Sequence, residues 1–215
     1  MTDSTKTSRN SARKQAVKDM KREMILAAAR KIFAQEGLEG ASLRAIAQEA
    51  GYTPAALYFH FESKEAVYAT LLEESLVRLQ THMDRAQHKA SSPSDRFSAA
   101  AMGFFEFYHL NPKDLDLGFY LFRGGMTPKG VGKDRNQPLN DQLTAALAAI
   151  TDTAVALGIN QTQANQVTAE IFAHATGLLM LAHTGRMRMF SLSPVAMMER
   201  YVAERLEWIL LSVNP

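Results

Sequence analysis

The sequence predicts an all-α protein: an N-terminal three-helix head containing a helix-turn-helix, then a larger helical domain, about nine helices in all. Three observations carry this. Apolar residues recur at i, i+3, i+4 and i+7 in one segment after another. No run of residues alternates apolar and polar as a half-buried strand would. Pro, Gly, Ser, Thr and Asn fall between those segments, where caps and turns need them. With 215 residues, 47% hydrophobic and 21% charged, the chain has enough apolar surface for an ordinary core.

Residues 1–18 are rich in Ser, Thr, Lys and Arg and lack apolar periodicity, so they are expected to form a basic flexible arm. Residues 19–66 form the head. Its first helix carries Ile25, Ala28, Ala29, Ile32 and Phe33 on one face and is expected to end at Gly37. Ser42 is the expected N-cap of a second helix bearing Leu43, Ile46, Ala47 and Ala50, and Gly51 permits a sharp turn after it. Thr53 followed by Pro54 reads as an N-cap with proline at the first helical position, which starts a third helix bearing Leu57, Tyr58, Phe59 and Phe61. Two short helices joined by a glycine turn make a helix-turn-helix over residues 42–61.

From Ser63 the chain reads as long helices near 63–90, 93–110, 113–123, 138–157, 161–185 and 193–212, which form the second domain, 67–215. Between Gly124 and Pro138, four Gly and two Pro in 15 residues predict an exposed loop.

The charge is unevenly placed. Residues 1–64 carry a net charge of +4 and residues 65–215 a net −2. Residues 1–31 alone reach +6, as expected of an end that meets a polyanion, although a solvated tail would look the same.

The stretch from Ser42 to Val67 resembles the DNA-binding head of the TetR (tetracycline-repressor) family. The resemblance covers about Lys18 to Glu73. It rests on the spacing of Ser42, Arg44, Ile46, Ala47, Ala50, Gly51, Thr53, Leu57, Tyr58, His60, Phe61, Ser63 and Lys64. Tyr52 stands where the family commonly has valine, and Pro54 and Ala55 replace more usual polar or glycine residues, so the differences fall on the reading surface. The resemblance implies binding of double-stranded DNA at a palindromic operator by Arg44, Tyr52, Thr53, Pro54, Ala55, Tyr58, His60 and Lys64. Thr53, Pro54 and Ala55 offer one hydroxyl and apolar surface, which suits thymine methyls and groove shape better than bidentate hydrogen bonds. Tyr52 and Tyr58 are expected to reach a base edge or a phosphate, or else to pack the head. Lys64, in the first turn of the next helix, suits a phosphate, and His60 suits the backbone or plain solvent. Arg44, Lys6, Arg9, Arg13 and Lys14 add salt-dependent affinity without specificity.

The resemblance also implies a small-molecule effector held between helices of the second domain, and a homodimer formed by about 161–185 and 193–212. Dimerisation has a physical argument too, because one short helix reads few bases and two heads must lie about 34–36 Å apart. The segment 161–185 is rich in small residues, while 193–212 carries Val195, Met198, Val202, Leu206, Ile209 and Leu210; packing within one chain is the alternative for both. Eight of the 18 aromatic residues lie between Phe97 and Phe122, forming either core or the wall of an apolar pocket. The candidate effector residues are Met102, Phe105, Tyr108, His109, Phe119, Phe122, Arg123, Met126, His174 and Met180, and the expected ligand is hydrophobic or aromatic.

Other function classes fit less well. The absence of cysteine removes disulfides, thiolate nucleophiles and zinc fingers. His82 and His88, and His174 and His183, sit about 120° and 180° apart around their helices, so neither pair shares a face for a metal. A site assembled from His109, His174 and Glu106 stays open as an alternative. No phosphate loop follows a strand and no nucleophile elbow occurs, so neither enzyme activity nor a cofactor is expected. No apolar run is long enough to span a membrane, and a cytoplasmic protein is expected. A DNA organiser or partner-binding module without a sensor is the competing reading.

Overall fold

The computed structural model describes residues 3–118 and 131–213, with side chains from Ala12 onward except Lys133. Among these residues nine α-helices follow one another: α1 (Asp3–Gly40), α2 (Leu43–Glu49), α3 (Pro54–Tyr58), α4 (Lys64–His88), α5 (Pro93–Leu110), α6 (Pro112–Gly118), α7 (Lys133–Ala156), α8 (Gln161–His183) and α9 (Pro194–Val213). A 3₁₀ turn, Arg186–Phe190, joins the last two. The all-α expectation holds.

The arm differs from expectation. Residues 3–18 continue α1 as helix, because no Gly or Pro interrupts the chain before Gly37 and local pairs such as Gln15 with Asp19 (2.8 Å) support the turns. Residues 12–20 are exposed, so no burial contributes. Gly37, at φ 68°, breaks the helical geometry where the sequence places the end of the head's first helix. The loop expected over 124–138 differs as well: its described end is helical from Lys133 onward, with Pro138 inside α7, and residues 124–130 lie outside the described set.

The chain divides into two compact units, Met1–Leu71 with Tyr120–Arg135, and Leu72–Phe119 with Asn136–Pro215. In the first unit α1 packs on α2 and α2 on α3, burying Ile25, Leu26, Ile46 and Leu57 completely. Phe33 and Tyr68 meet edge to face at 5.1 Å. Glu62 is ion-paired with Arg135 in the same unit.

In the second unit α5, α8 and α9 pack on one another, and most of the aromatic cluster forms their core. Phe97, Phe104, Phe105, Phe107 and Tyr108 are all buried, and Phe104 meets the rings of Tyr108 (5.1 Å) and Phe172 (5.5 Å) edge on. Capping boxes at Ser92–Asp95 and Asn160–Gln163 start α5 and α8. The hydroxyls of Thr151 and Thr168, 2.8 Å apart, join α7 to α8 where both are buried. Met198, Val202 and Ile209 of α9, read as dimer candidates, instead face their own chain's core, as do Ala164 and Ala175 of α8. Ala169, Ala173 and Gly177 remain on the exposed face of α8, and Trp208, Leu210 and Leu211 are exposed on α9.

Candidate DNA interface and effector site

The reading surface of the head is built by its caps. Ser42 Oγ accepts from the Ala45 N–H at 3.1 Å, and Thr53 Oγ1 accepts from the Ala56 N–H at 3.2 Å, so both short helices have fixed starts. Between them Gly51 adopts φ 73°, and the Tyr52 N–H donates to the Ala47 carbonyl at 2.8 Å. Gly51→Ala would place its Cβ in open space, since nothing lies within 4 Å, so its whole cost is the left-handed backbone. We expect a loss of about 1–2 kcal/mol, read as a lower urea midpoint; an unchanged midpoint would rule this account of the turn out.

Leu57 and Phe61 are buried, which turns the opposite face of α3 outward. That face carries exposed Pro54 and Ala55, with Tyr58 (60% exposed) and Phe59 (89% exposed) four residues further along. Phe59 is the residue the sequence reading missed. The sequence lists it among the apolar positions of the third helix, yet its spacing of two from Leu57 and Phe61 sets it away from their buried face.

Other candidates are held more tightly. Tyr52 is half-buried and its hydroxyl lies 3.8 Å from Met24 Sδ, so the ring turns toward α1. Lys64 donates from Nζ to the carbonyls of Glu39 and Ala41, each at 3.0 Å, closing the end of α1 onto the start of α4 and leaving one ammonium proton for a phosphate. His60 is half-buried and Arg44 is exposed on α2. Lys31 and Glu49 tie α1 to α2 at 2.8 Å, and this hydrogen-bonded carboxylate raises the lysine's pKa. The Arg22 guanidinium lies 4.9 Å from the centre of the Phe61 ring.

The effector candidates do not assemble as one wall. Phe119, Phe122, Arg123 and Met126 lie outside the described residues. Phe105, Tyr108 and His109 stand together on α5: Phe105 is fully buried and stacks on the His109 ring at 5.3 Å, while His183 of α8 comes within 5.9 Å of that ring. His183 Nε2 meets the Tyr108 carbonyl at 3.1 Å, and His109 Nδ1 is buried with no hydrogen-bond partner. Burial, followed by the nearby Asp114 carboxylate, pushes the Tyr108 phenol well above its ordinary pKa. Met102 is half-buried and Met180 is exposed.

His174 occupies another face of α8, stacked on Tyr201 of α9 at 3.9 Å. Burial lowers its pKa, with Glu204 raising it and Arg200 lowering it to lesser degrees. The unfolded chain therefore binds this proton more readily, and stability present above the ordinary histidine pKa is lost as the pH falls below it. The melting temperature should drop from pH 7 to pH 5, and drop less in His174→Gln; parallel drops would contradict this assignment. Glu106 faces His82 at 3.9 Å, and no group of three or more metal-ligating side chains forms among the described residues.

A separate groove of about 400 Å³ opens between α7 and α8, lined by Thr144, Leu147, Ala148, Thr151, Asp152, Gln161, Asn165, Thr168, Ala169 and Phe172. None of the effector candidates among the described residues lines it. No helix among the described residues is long and apolar enough to cross a membrane.

The model of the family described as bacterial regulatory proteins, tetR family, matches residues 25–71, the segment that carries the caps, the turn and α3. Residues 25–71 are similar to the DNA-binding segment of the tetR family. Over 90 residues it is 31% identical to the HTH-type transcriptional activator FasR of Mycolicibacterium smegmatis, covering 42% of this chain and 41% of that one. Over 60 residues it is 37% identical to the HTH-type transcriptional repressor AcnR of Corynebacterium diphtheriae, covering 28% of this chain and 32% of the other. These matches span less than half of the curated relatives, which are regulators, not enzymes. The likeness of fold extends further. The transcriptional regulator FadR of Bacillus subtilis, solved in complex with stearoyl-CoA, superposes with a TM-score of 0.64 over 86% of this chain and 97% of its own, at 15% identity.

Proposed function

We propose that the chain is a homodimeric, ligand-responsive transcriptional regulator, a repressor that holds a palindromic operator until a small hydrophobic or aromatic molecule releases it. The observation that carries this reading is the outward face of α3, where Pro54, Ala55, Tyr58 and Phe59 stand exposed on a helix whose start is fixed by Thr53. That surface enters a major groove and meets thymine methyls and sugar edges, while Arg44, His60 and the remaining proton of Lys64 meet phosphates.

Gly177 supports the dimer. It lies inside α8 with nothing within 4 Å of where a Cβ would stand, so no neighbour in its own chain requires a glycine. Glycine costs a helix interior about 1 kcal/mol relative to alanine, and close approach of a second helix supplies a reason to retain it.

His109 supports the effector site. Its buried, unpartnered Nδ1 beside the Phe105 ring offers one polar anchor in an apolar setting, and the stearoyl-CoA held by the Bacillus subtilis neighbour has the hydrophobic character expected of the ligand. A ligand that prefers the conformation with misplaced heads must weaken operator binding, and the operator must weaken the ligand by the same factor. The mutual packing of Phe97, Phe104, Phe107 and Tyr108 favours the second reading, a DNA organiser whose interior is already filled.

Fluorescence anisotropy on the DNA flanking the chain's own gene tests the proposal. We expect tight binding whose logarithm falls with log salt by about 0.9 per phosphate contacted. A thermal-shift panel of hydrophobic compounds should then yield ligands that stabilise by about 2.7 kcal/mol at 100 times their dissociation constant and weaken DNA binding. Binding that no ligand modulates would select the organiser reading, and no binding at low salt would refute both.

A further inference from the structure

The first helix runs on past the head it belongs to. Burial along α1 begins at Ile25, yet the helix reaches back to Asp3, and every side chain from Ala12 to Lys21 is exposed. Residues 12–22 hold five cations, Arg13, Lys14, Lys18, Lys21 and Arg22, against one acid, Asp19, a net +4. Asp19 already accepts from Gln15 at 2.8 Å. Arg22 is drawn into the head, where it donates to Thr70 Oγ1 at 3.4 Å and lies over the Phe61 ring. The other four cations stand in solvent. No core of its own chain covers this stretch, so its surface is open to a partner.

One face of the extension has a known direction. Lys31 reaches Glu49 at the end of α2 (2.8 Å), and Met24 Sδ lies 3.8 Å from the Tyr52 hydroxyl, just before α3. Seven residues at about 100° each return to within about 20°, so Lys31 and Met24 share the face of α1 that follows the helix-turn-helix to the start of α3. The next seven-residue step back is Val17, and Met20 and Arg13 fall within about 40° of Met24 on the same side. Val17 (40% exposed), Met20 (59%) and Met24 (49%) thus continue this face past Tyr52 as an uncovered apolar stripe. The stripe ends in Arg13, about 16 Å along the helix from Met24, and Lys14, Lys18 and Lys21 flank it on one side.

We propose that residues 12–24 of α1 are a second DNA-contacting element, laid on the duplex beside the stretch that α3 reads, with Arg13, Lys14 and Lys18 on phosphates and Val17 and Met20 over sugar edges. Two observations select DNA as the occupant. The net +4 complements a polyanion, and the stripe is continuous with the start of α3, the end of a reading helix that enters the major groove. The inference rests on the DNA reading proposed above and goes past it. A flexible basic arm adds affinity at no fixed place, whereas a helix continuous with α1 sets its contacts at a fixed distance from the half-site and lengthens the DNA that each head covers.

Hydroxyl-radical footprinting and salt titration of the full chain, on the DNA flanking its own gene, test this with two variants. The triple variant Arg13→Gln, Lys14→Gln, Lys18→Gln removes three charges and keeps good helix formers. Ala16→Pro keeps every charge and breaks the helix, at a position where nothing is buried. Wild type should protect base pairs adjacent to each half-site. Both variants should lose that adjacent protection and keep the half-sites, and the triple variant should lower the slope of log affinity against log salt by about 2–3. Adjacent protection that survives Ala16→Pro, or a wild-type salt slope in the triple variant, would overturn the proposal and leave reading by α3 standing. Pelleting of wild type with phosphatidylglycerol vesicles, lost in the triple variant while its DNA slope is unchanged, would assign the face to a membrane instead. A wild-type chain that protects no half-site would overturn both readings.

Discussion

Leu57→Ala should abolish DNA binding while leaving the second unit folded. Leu57 is fully buried in the last turn of α3, next to the exposed Tyr58 and Phe59. Truncating a buried leucine costs about 2–5 kcal/mol. A head of this size buries a small core, so a loss of that order is comparable to its whole stability. Calorimetry should show the head transition lost or moved to low temperature. A second transition, carried by the core of Phe97, Phe104 and Phe105, should stay near its wild-type position. Wild-type DNA affinity in this variant would mean that α3 does not present the reading surface.

Gly177→Leu should convert the proposed dimer to a monomer without destabilising the monomer. Leucine favours a helix interior over glycine by about 0.8–1 kcal/mol, and its Cβ meets nothing within 4 Å in its own chain. In the dimer the same side chain would stand where the second α8 must approach. Losing one of two linked heads removes the effective-concentration advantage of the second half-site, so operator affinity should fall by about 100-fold or more. Sedimentation and anisotropy on the same sample separate the two effects. A Gly177→Leu chain that remains a dimer of full affinity would exclude this face from the interface.

What the sequence disclosed and what it withheld follow from the range of the interactions involved. The caps at Ser42 and Thr53, the turn at Gly51 and the buried Leu57 and Phe61 are local features, set by residues within a few positions of one another, and they are where the sequence places them. High polarity in residues 3–18 predicts a flexible arm, whereas in the structure this stretch, free of Gly and Pro, continues the adjoining helix with no core to bury. The roles of Tyr52 and Lys64 depend on contacts 28 residues away with Met24 and 25 residues away with Glu39, which no spacing rule encodes. Periodicity identified which residues of α8 and α9 are apolar or small. It did not separate Met198, Val202 and Ile209, which face the chain's own core, from the exposed Trp208 and Leu211. The aromatic cluster of α5 is legible as a cluster, yet only the folded chain reveals that its rings pack on one another and that His109 is left with a buried unpartnered nitrogen.

The most direct test of DNA reading by the head is a footprint on the DNA flanking the chain's own gene, compared among wild type, Tyr58→Ala and Phe59→Ala. Both side chains are exposed, so neither change should disturb folding. The account predicts two protected half-sites about one DNA turn apart, with protection lost at higher concentration of either variant than of wild type. Protection that is identical in all three proteins, or that follows no half-site pattern, would contradict it.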